Sequence, residues 1–382
     1  MLLYHFICIF QHRFHPLLIY SVKTCYNEAL QNVGQVSETD DLWQRLSRAE
    51  KPIWLYGMGD GADKILNELE RRNITVSGVF ASDGFVRHQQ FRGFTVMSYG
   101  EAKDISGDII VLVCFGTSRV DVLGNIYRIA EEQELYAPDV PVVGEGVFDS
   151  EYAAAHEAEL RQVYGMLADE QSRLVFRECI AYRLSGDIAH LRRCESSPDE
   201  AWQNILCPTE NEHFVDLGAF VGDTVAEFCA HADGYGHIYA VEPGEKSFSR
   251  LKKATDGMEN VTLINKAVSD KAETLIFNTH GGRNHAISAT GKPIAADSVD
   301  NMLGKKAVTL IKTDVEGSEG AAVDGAKSTI LRYKPKMQIA CYHRTEDYFA
   351  LPLKVAEIRD DYRLYMRHFP GVPAWDTNFY FV

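Results

Sequence analysis

The sequence lacks the features of membrane proteins, nucleic-acid binders and disulfide-rich secreted proteins. Polar residues and a proline interrupt the apolar segment 1–20 well before the ~20 apolar residues that cross a bilayer. The 8 cysteines form no CxxC pair and no Cys/His cluster at zinc spacing. Only 39 residues are Lys or Arg against 54 that are Asp or Glu, and the net charge of −15 would repel a phosphate backbone. We therefore predict a cytoplasmic protein without a nucleic-acid partner or an integral membrane segment. No pattern indicates an oligomeric state.

Long linkers and internal repeats are also missing, so hydrophobic periodicity alone divides the 382 residues. Short apolar runs alternate with amphipathic stretches in two places, which predicts two α/β domains with parallel strands. Between them lies a segment of helix-forming composition with few breakers. The predicted division is an N-terminal extension at 1–39, a small Rossmann-like α/β domain at 40–148, a helical connector at 149–205 and a larger α/β domain at 206–382.

The larger domain contains seven candidate strands, and the alternating pattern of the last two favours an antiparallel edge. These strands are predicted at 213–217, 237–241, 261–268, 308–314, 336–342, 362–369 and 377–382. Seven strands are typical of the methyltransferase variety of doubly wound sheet, whereas a dehydrogenase sheet usually has six parallel strands. In the smaller domain, strands are predicted at 52–57, 74–80, 108–116 and, at the edge, 141–144.

A glycine-rich turn follows the first strand of the larger domain, in the sequence HFVDLGAFVGDT at 213–224. The strand ends in Asp216, Gly218 allows a tight turn, and Gly222 opens a helix whose free N–H groups face a ligand. Ala219 and Asp223 belong to the same turn. We take these five residues as candidates for cofactor binding, against the alternative of an ordinary strand-to-helix turn.

The next strand ends in IYAVEP, which places Glu242 at the rim of the sheet about 20 residues after the turn. A carboxylate there accepts hydrogen bonds from both hydroxyls of a ribose and repels a 2′-phosphate. Asp216 would repel a pyrophosphate but suits an ammonium group, so the expected ligand is S-adenosylmethionine. Ser269, after the third strand, is a further candidate, for the adenine edge; a turn cap is its alternative.

The strand ends at LIKTDVEGSEG and IACYHR supply the candidate catalytic residues Asp314, Glu316 and His343. Methyl transfer needs an acceptor oxygen in line behind the sulfonium methyl group. His343 or Asp314 would remove or orient the proton of an acceptor hydroxyl. Asp314, Glu316 and Glu319 also form a pattern that binds divalent cations, although the helix dipole equally explains Glu319. We predict no metal.

In order and spacing, VDLGAFVGDT, VEP, NKAVSD, IKTDVEGSE, CYH and TNFYFV resemble the FkbM-type methyltransferases, over about 170–382. The resemblance implies a class I methyltransferase-like, doubly wound seven-stranded sheet that binds S-adenosylmethionine. It also implies O-methylation of a hydroxyl on a sugar, polysaccharide precursor or secondary metabolite. Asp216, Gly218, Gly222, Glu242 and Asp314 would line the cofactor. One departure is Phe220, which occupies the middle glycine position of the D-x-G-x-G-x-G pattern.

A second glycine-rich loop, YGMGDGADKIL, places Gly57, Gly59 and Ala62 in GxGxxA order between a strand and a helix. Asp83 follows about 20 residues later, as in a dinucleotide site. One alternative is therefore a nucleotide-sugar- or NAD-binding protein whose methyltransferase-like domain is not catalytic. Another is that the small domain is a docking module that binds no nucleotide. The polar loop 279–288 is a candidate for the substrate entrance.

Overall fold

The computed structural model describes residues 40–277 and 292–382, which form a mixed α/β fold with two sheets of mainly parallel strands. The predicted N-terminal extension at 1–39 and the predicted entrance loop at 279–288 lie outside the described residues. Within the two described ranges, no helix is both long enough and apolar enough to cross a membrane.

The helices are mostly short and connect the strands of the two sheets. They are α1 (Leu42–Ser47), α2 (Asp60–Arg71), α3 (Tyr99–Ser106), α4 (Val120–Glu132), α5 (Ser150–Ala155), α6 (Glu157–Met166), α7 (Glu170–Ser185), α8 (Ala189–Cys194), α9 (Pro198–Glu200), α10 (Asp223–His231), α11 (Glu245–Ala254), α12 (Val299–Leu303), α13 (Glu319–Gly325), α14 (Lys327–Tyr333) and α15 (Asp347–Ile358). A 3₁₀ turn spans Asp83–Phe85, and a π-helical segment spans Ala201–Leu206.

The strands belong to three sheets. They are β1 (Ile53–Tyr56), β2 (Gly78–Ala81), β3 (Gln90–Phe91), β4 (Phe94–Ser98), β5 (Ile110–Val113), β6 (Glu134–Tyr136), β7 (His213–Leu217), β8 (His237–Val241), β9 (Val261–Ile264), β10 (Ala267–Val268), β11 (Glu273–Phe277), β12 (Lys292–Asp297), β13 (Leu310–Thr313), β14 (Lys336–Ala340), β15 (Leu364–His368) and β16 (Thr377–Phe381).

The N-terminal sheet has the order β3-β4-β2-β1-β5-β6 and is parallel except for the β3–β4 pair. Its strands β1 and β5 read IWLY and IVLV and are buried throughout, as continuous apolar runs in a parallel sheet should be. The prediction of an edge strand at 141–144 is wrong, because β6 forms the edge. The segment 141–144 is a loop whose Val143 N–H donates to the carbonyl of His343 at 3.0 Å.

The C-terminal sheet has the order β15-β16-β14-β13-β7-β8-β9, with β16 antiparallel to both of its neighbours. Each predicted strand has a counterpart in this sheet, but the one predicted at 261–268 divides in two. Its second half, β10, joins a separate sheet with β11 and β12 that the sequence pattern did not predict. The division falls at Asn265, whose side-chain amide donates to the carbonyls of Glu242 and Pro243 at 2.8 and 3.1 Å.

The helices of the predicted connector join the two sheets. At the start of α7, the Ser172 hydroxyl accepts the Met366 N–H of β15 at 3.0 Å. Just beyond the end of α7, the Gly186 carbonyl accepts the Ala137 N–H at 2.8 Å, next to β6. Trp54 of the first sheet, Phe176 of α7 and Ile311 of the second sheet share one hydrophobic core. The relative position of the sheets is therefore set by packing as well as by chain connection.

Candidate active site

A cavity of about 320 Å³ lies at the carboxyl ends of β7, β8, β13 and β14. Parallel strands end at the same edge of a sheet, and ligands bind there in open α/β sheets. The residues that follow these four strands supply much of its wall, including Gly218, Glu242, Asp314 and His343. The cavity therefore collects most of the side chains that the sequence singles out.

The turn after β7 brings the backbone of two strand ends into contact. Gly218 has φ +85, and a Cβ there would lie 1.9 Å from the carbonyl oxygen of Asp314, so only glycine fits. Gly222 has φ +91 and precedes α10 as its N-cap residue. Phe220 also has a positive φ, of +44, and its half-buried side chain lines the cavity. The buried Ala219 donates its N–H to the Val241 carbonyl at 2.9 Å, which fixes the turn against β8.

Asp216 lies beneath the cavity wall and is not among the residues that line it. It is fully buried, and neither of its carboxylate oxygens accepts a hydrogen bond within the described structure. Burial raises the pKa of Asp216 to about 6, against the opposing effect of Lys312, whose Nζ atom lies 3.5 Å from Oδ1. Asp216 therefore acts on the cavity through Lys312, and not directly as the sequence predicts.

Lys312 is the most consequential residue that the sequence reasoning missed. Its side chain lines the cavity and places Nζ 3.8 Å from Oδ2 of Asp314 as well as close to Asp216. Burial disfavours the ammonium, but the neighbouring carboxylates, Asp216 first, outweigh burial and raise the pKa of Lys312. The register pairs Lys312 of β13 with Asp216 of β7. Residues paired in this way point to the same face of a sheet, and this signal could have found the ion pair.

Glu242 occupies the predicted position at the end of β8 and is held by two backbone donors. Oε1 accepts the Gly244 N–H at 2.7 Å, and Oε2 accepts the Phe220 N–H at 3.1 Å. The side chain lines the cavity although the residue is only 5% exposed. Burial raises the pKa of Glu242 to about 7 despite these two hydrogen bonds. A carboxylate fixed in this way retains lone pairs for the hydroxyls of a ligand.

His343 lies in a cluster of three carboxylates, which we call the acidic cluster: Asp314, Glu316 and Glu319. Nδ1 is 2.9 Å from Oε1 of Glu319, and Nε2 is 3.5 Å from Asp314 and 3.7 Å from Glu316. Burial favours the neutral ring, but the carboxylates, Glu319 foremost, outweigh it and raise the pKa of His343 to about 10. The imidazole therefore keeps its proton at neutral pH and is unsuited to the role of a general base.

Glu316 is better matched to that role. Burial raises the pKa of its carboxyl to about 7, a shift that nearby Asp314 and Glu319 reinforce and that His343 opposes. Its side chain lines the cavity, and its backbone has a positive φ of +53. A base works best when its pKa lies near the working pH. The strained backbone holds the side chain of Glu316 at a turn that Glu319 closes by accepting the Val315 N–H at 2.8 Å.

Tyr342 fixes the orientation of Asp314. Its hydroxyl lies 3.2 and 3.3 Å from the two carboxylate oxygens, and Tyr342 also lines the cavity. The sequence reasoning treated IACYHR only as a strand that presents His343 and overlooked the tyrosine. Alternation along an extended chain would have placed Tyr342 on the opposite face from His343. Its contact with Asp314 arises because the chain leaves the sheet after Ala340.

Asp314, Glu319 and His343 each place a possible ligand atom within 4.8 Å of the others. This spacing also fits a divalent cation. Asp314 and Glu319 are two of the three acids that the sequence offers as possible ligands of such a cation. The protonated imidazole supplies the positive charge that these carboxylates need, so the arrangement is explained without a metal. The prediction that no metal is used remains a prediction.

Three other predicted residues differ in their relation to the cavity. Asp223 begins α10, is exposed and lines the cavity wall, whereas Gly222 does not line it. Ser269 is not among the lining residues. Its hydroxyl donates a hydrogen bond to Oε1 of Glu273 at 2.5 Å. The backbone stretch just before it, Ala267 and Val268, lines the cavity instead.

At the glycine-rich loop of the N-terminal region, neighbouring residues of the protein fill the space beside two glycines. A Cβ at Gly57 would lie 2.5 Å from the ring of Phe115, and one at Gly61 would lie 2.4 Å from the carbonyl oxygen of Cys114. The following helix α2 carries Asp60 and Asp63 in its first turn, where carboxylates repel a pyrophosphate. Close packing therefore explains Gly57 and Gly61, Gly59 has open space and a positive φ of +113, and the charges do not favour a dinucleotide.

The residues at the strand ends of this site, from Asp216 to His343, fall within a known domain. Residues 216–369 match the model of the methyltransferase FkbM domain, which confirms the resemblance seen in the sequence. A crystal structure of methyltransferase FkbM from Methylobacillus flagellatus aligns with a TM-score of 0.71, 18% identity, and coverage of 95% of this chain and 100% of that one. This similarity shows a shared fold.

Weaker matches cover about half of the chain. An rRNA methylase from Streptococcus thermophilus aligns with a TM-score of 0.32 at 12% identity, covering 48% of this chain and 91% of that one. The fibrillarin of Aeropyrum pernix, in complex with S-adenosyl-L-methionine, aligns with a TM-score of 0.31 at 16% identity, covering 46% and 67%. Among curated proteins, none matches the sequence significantly.

Proposed function

We propose that the protein methylates a hydroxyl of a sugar, polysaccharide precursor or secondary metabolite, with S-adenosylmethionine as the donor, since residues 216–369 match the model of the methyltransferase FkbM domain. Under this proposal the seven-stranded sheet is the doubly wound sheet of class I methyltransferases. The observation that carries it is the gathering of Glu242, Lys312, Asp314 and Glu316 around one cavity at the strand ends.

On the cofactor side, the wall offers groups for the ribose and for the carboxylate and ammonium of the methionine part of S-adenosylmethionine. The rigidly held carboxylate of Glu242 would accept hydrogen bonds from the ribose hydroxyls. Lys312 and Asp314 line the wall with opposite charges 3.8 Å apart, which suits the carboxylate and ammonium of the methionine part. Gly218 lets its turn lie against the end of β13, which brings Asp314 into the same wall.

On the acceptor side, Glu316 is the proposed general base. When bound, S-adenosylmethionine supplies an electrophilic methyl group on a sulfonium, which departs as the thioether of S-adenosylhomocysteine. As the acceptor oxygen bonds to that carbon, its proton passes to the carboxylate of Glu316. The imidazolium of His343 lies 3.7 Å from Glu316 and 3.5 Å from Asp314. Its positive charge would stabilise both carboxylates and hold them in place. His343 is thus a positioning residue.

The remaining parts of the proposal concern organisation and location. We retain the division into domains at 40–148, 149–205 and 206–382. A reducing, cytoplasmic location is in keeping with the cysteines of the described ranges, all six of which are free thiols.

Isothermal titration with S-adenosylhomocysteine tests the cofactor assignment. We expect the wild-type chain to bind it, and Glu242→Ala to weaken binding at least tenfold because the ribose contacts are lost. The matched control is Asp83→Ala, since Asp83 is the carboxylate that a nucleotide site in the N-terminal region would use. Unchanged affinity in Glu242→Ala, or an equal loss in Asp83→Ala, would reject the assignment.

A further inference from the structure

The wall of the cavity is built by two distant parts of the chain. One part comes from the FkbM domain and includes the four side chains proposed for cofactor and catalysis. The other comes from outside the matched residues 216–369: the segment 116–118 and Val142 of the N-terminal region, with the loop 371–376. The proposed function assigns no task to this second part.

Direct contacts hold the segment 116–118 against the loop 371–376. The Thr117 N–H donates to the Val372 carbonyl at 2.8 Å, and the Val372 N–H donates to the Thr117 carbonyl at 3.0 Å. Beside this bridge, a Cβ at Gly116 would lie 2.1 Å from the ring of Trp375. The indole therefore rests against a bare backbone, in a position that requires glycine at 116.

A second set of contacts joins the N-terminal region to the residues around the acidic cluster. The Val143 N–H donates to the His343 carbonyl at 3.0 Å, and the Thr345 hydroxyl donates to the Gly146 carbonyl at 3.1 Å. A Cβ at Gly317 would lie 3.0 Å from Val143, so the turn that carries Glu316 packs directly on this loop. The N-terminal region is thus fixed next to the proposed base.

The charges of the wall restrict what can enter. Five carboxylates line the cavity, from Asp223, Glu242, Asp314, Glu316 and Asp376. The two cationic side chains in the wall are already engaged with acids: Lys312 with Asp216 and Asp314, and His343 with the acidic cluster. A cleft with this imbalance repels anions and admits neutral or cationic molecules.

We infer that the N-terminal region and the loop 371–376 form the acceptor side of the cavity, and that this side admits uncharged or cationic hydroxyl compounds and excludes anionic ones. The inference rests on the proposed function, because it divides the same cavity into cofactor and acceptor sides. The indole of Trp375 offers an apolar face, and Thr117 and Ser118 add hydroxyls beside it. Near the proposed base, phosphorylated and carboxylated acceptors would meet an excess of carboxylates, since His343 and Lys312 are already paired with acids.

Tryptophan fluorescence tests both parts of the inference without knowledge of the acceptor. The chain has 4 tryptophans, of which Trp43, Trp54 and Trp202 are 2%, 2% and 4% exposed. Trp375 is half-buried and lines the cavity, so collisional quenching reports on it, and the variant Trp375→Phe supplies the background. Acrylamide is the neutral quencher, caesium the cationic one and iodide the anionic one.

For the charge restriction, we expect the Stern–Volmer constant for iodide to be at least about threefold below that for caesium. The double variant Glu316→Gln/Asp376→Asn should bring the two constants closer together. Its matched control, Glu357→Gln/Asp360→Asn, removes the same charge at exposed positions at the end of α15 and should leave the ratio unchanged. Equal quenching by iodide and caesium in the wild type, or equal effects of the two double variants, would overturn the charge restriction.

For the side assignment, saturating S-adenosylhomocysteine should leave acrylamide quenching of Trp375 unchanged, since the ligand would occupy the other side. Strong protection by the ligand would overturn the assignment of Trp375 to the acceptor side. Calorimetry on the same samples distinguishes a failure of the proposed function from a failure of the side assignment. Absence of S-adenosylhomocysteine binding contradicts the proposed function, whereas binding with protected Trp375 contradicts this inference alone.

Discussion

Two glycine-rich turns in this molecule have similar local sequences and different surroundings. In both, a buried parallel strand ends, glycines with positive φ follow, and a helix begins at an aspartate. At Gly57 and Gly61, a ring and a carbonyl group of the neighbouring strand end occupy the space of the missing side chains. At Gly218, the missing side chain lets the turn approach the end of β13, and a cavity lined by Glu242 and Lys312 opens beside it.

The comparison shows that a glycine pattern predicts close approach of the backbone but not what approaches it. Charge distinguishes the two turns. Beside the C-terminal turn, Lys312 forms ion pairs with Asp216 and Asp314. The buried acid Glu242 lies there as well. The N-terminal turn is followed by Asp60 and Asp63 at the start of α2, where Lys64 pairs with Asp60 at 2.9 Å, and none of these residues lines the cavity.

Placing a methyl group in each turn gives the largest expected contrast. Gly218→Ala should abolish S-adenosylhomocysteine binding and lower the free energy of unfolding by roughly 3 kcal/mol or more, because its Cβ would lie 1.9 Å from the Asp314 carbonyl. Gly59→Ala has open space around its Cβ and only the strain of its positive φ, so we expect about 1–3 kcal/mol and unchanged binding. Urea denaturation and calorimetry measure both. Equal effects at the two positions would contradict the distinction.

Removing the cation of the C-terminal turn should give the next largest effect. Lys312→Met leaves Asp216 buried without its ion-pair partner, so the variant should lose about 3 kcal/mol of stability at pH 8. The folded-state pKa of Asp216 is already raised to about 6, and its charged form costs stability above that pH. Without Lys312 the pKa of Asp216 rises further, so the loss should shrink as the pH falls from 8 towards 6, and little of it should remain at pH 5, where the carboxyl is protonated in both proteins. A loss that is the same at pH 5 and pH 8 would contradict this account.

The ligand affinity should depend on pH through Glu242. Its pKa is raised to about 7, so the carboxylate that would accept ribose hydroxyls is lost as the pH falls below that value. We expect the S-adenosylhomocysteine affinity to fall by up to about tenfold per pH unit below 7, and Glu242→Gln to remove this dependence. Titrations between pH 5.5 and 8 would show it. A wild-type affinity that does not change over this range would count against the role of Glu242.

The smallest expected effect on stability concerns the proposed base. Glu316 has a pKa raised to about 7, so its negative charge destabilises the folded state above pH 7 and costs little at pH 5. Glu316→Gln should raise the free energy of unfolding at pH 8 by about 1–2 kcal/mol and leave it unchanged at pH 5. The same substitution should eliminate methyl transfer while preserving S-adenosylhomocysteine affinity. Lower stability at pH 8 would show that the charge of Glu316 is stabilised by its surroundings.

The sequence predicted the parts of the site that depend on local pattern. β7 and β8 follow from short apolar runs, and Gly218 and Glu242 follow from the positions where those runs end. Local pattern could not predict that the strand predicted at 261–268 would divide at Asn265, since an amide side chain bonds there to the neighbouring loop.

Long-range contacts account for what the sequence missed. The segment 116–118 reaches the cavity only because Thr117 bonds to Val372, far away in the chain. The raised pKa of His343 depends on three carboxylates that meet it across two strand ends. No periodicity reports either contact, because the first depends on how the two sheets pack and the second on β13 and β14 being neighbours in one sheet.

Paired titrations of the full-length chain with S-adenosylhomocysteine and with NADH test the central claim, that the cofactor binds at the C-terminal turn. We predict one S-adenosylhomocysteine per chain, no heat with NADH, and an unchanged S-adenosylhomocysteine affinity in Gly59→Val. Binding of NADH that Gly59→Val abolishes, together with no heat from S-adenosylhomocysteine, would assign the ligand to the N-terminal turn and contradict the claim.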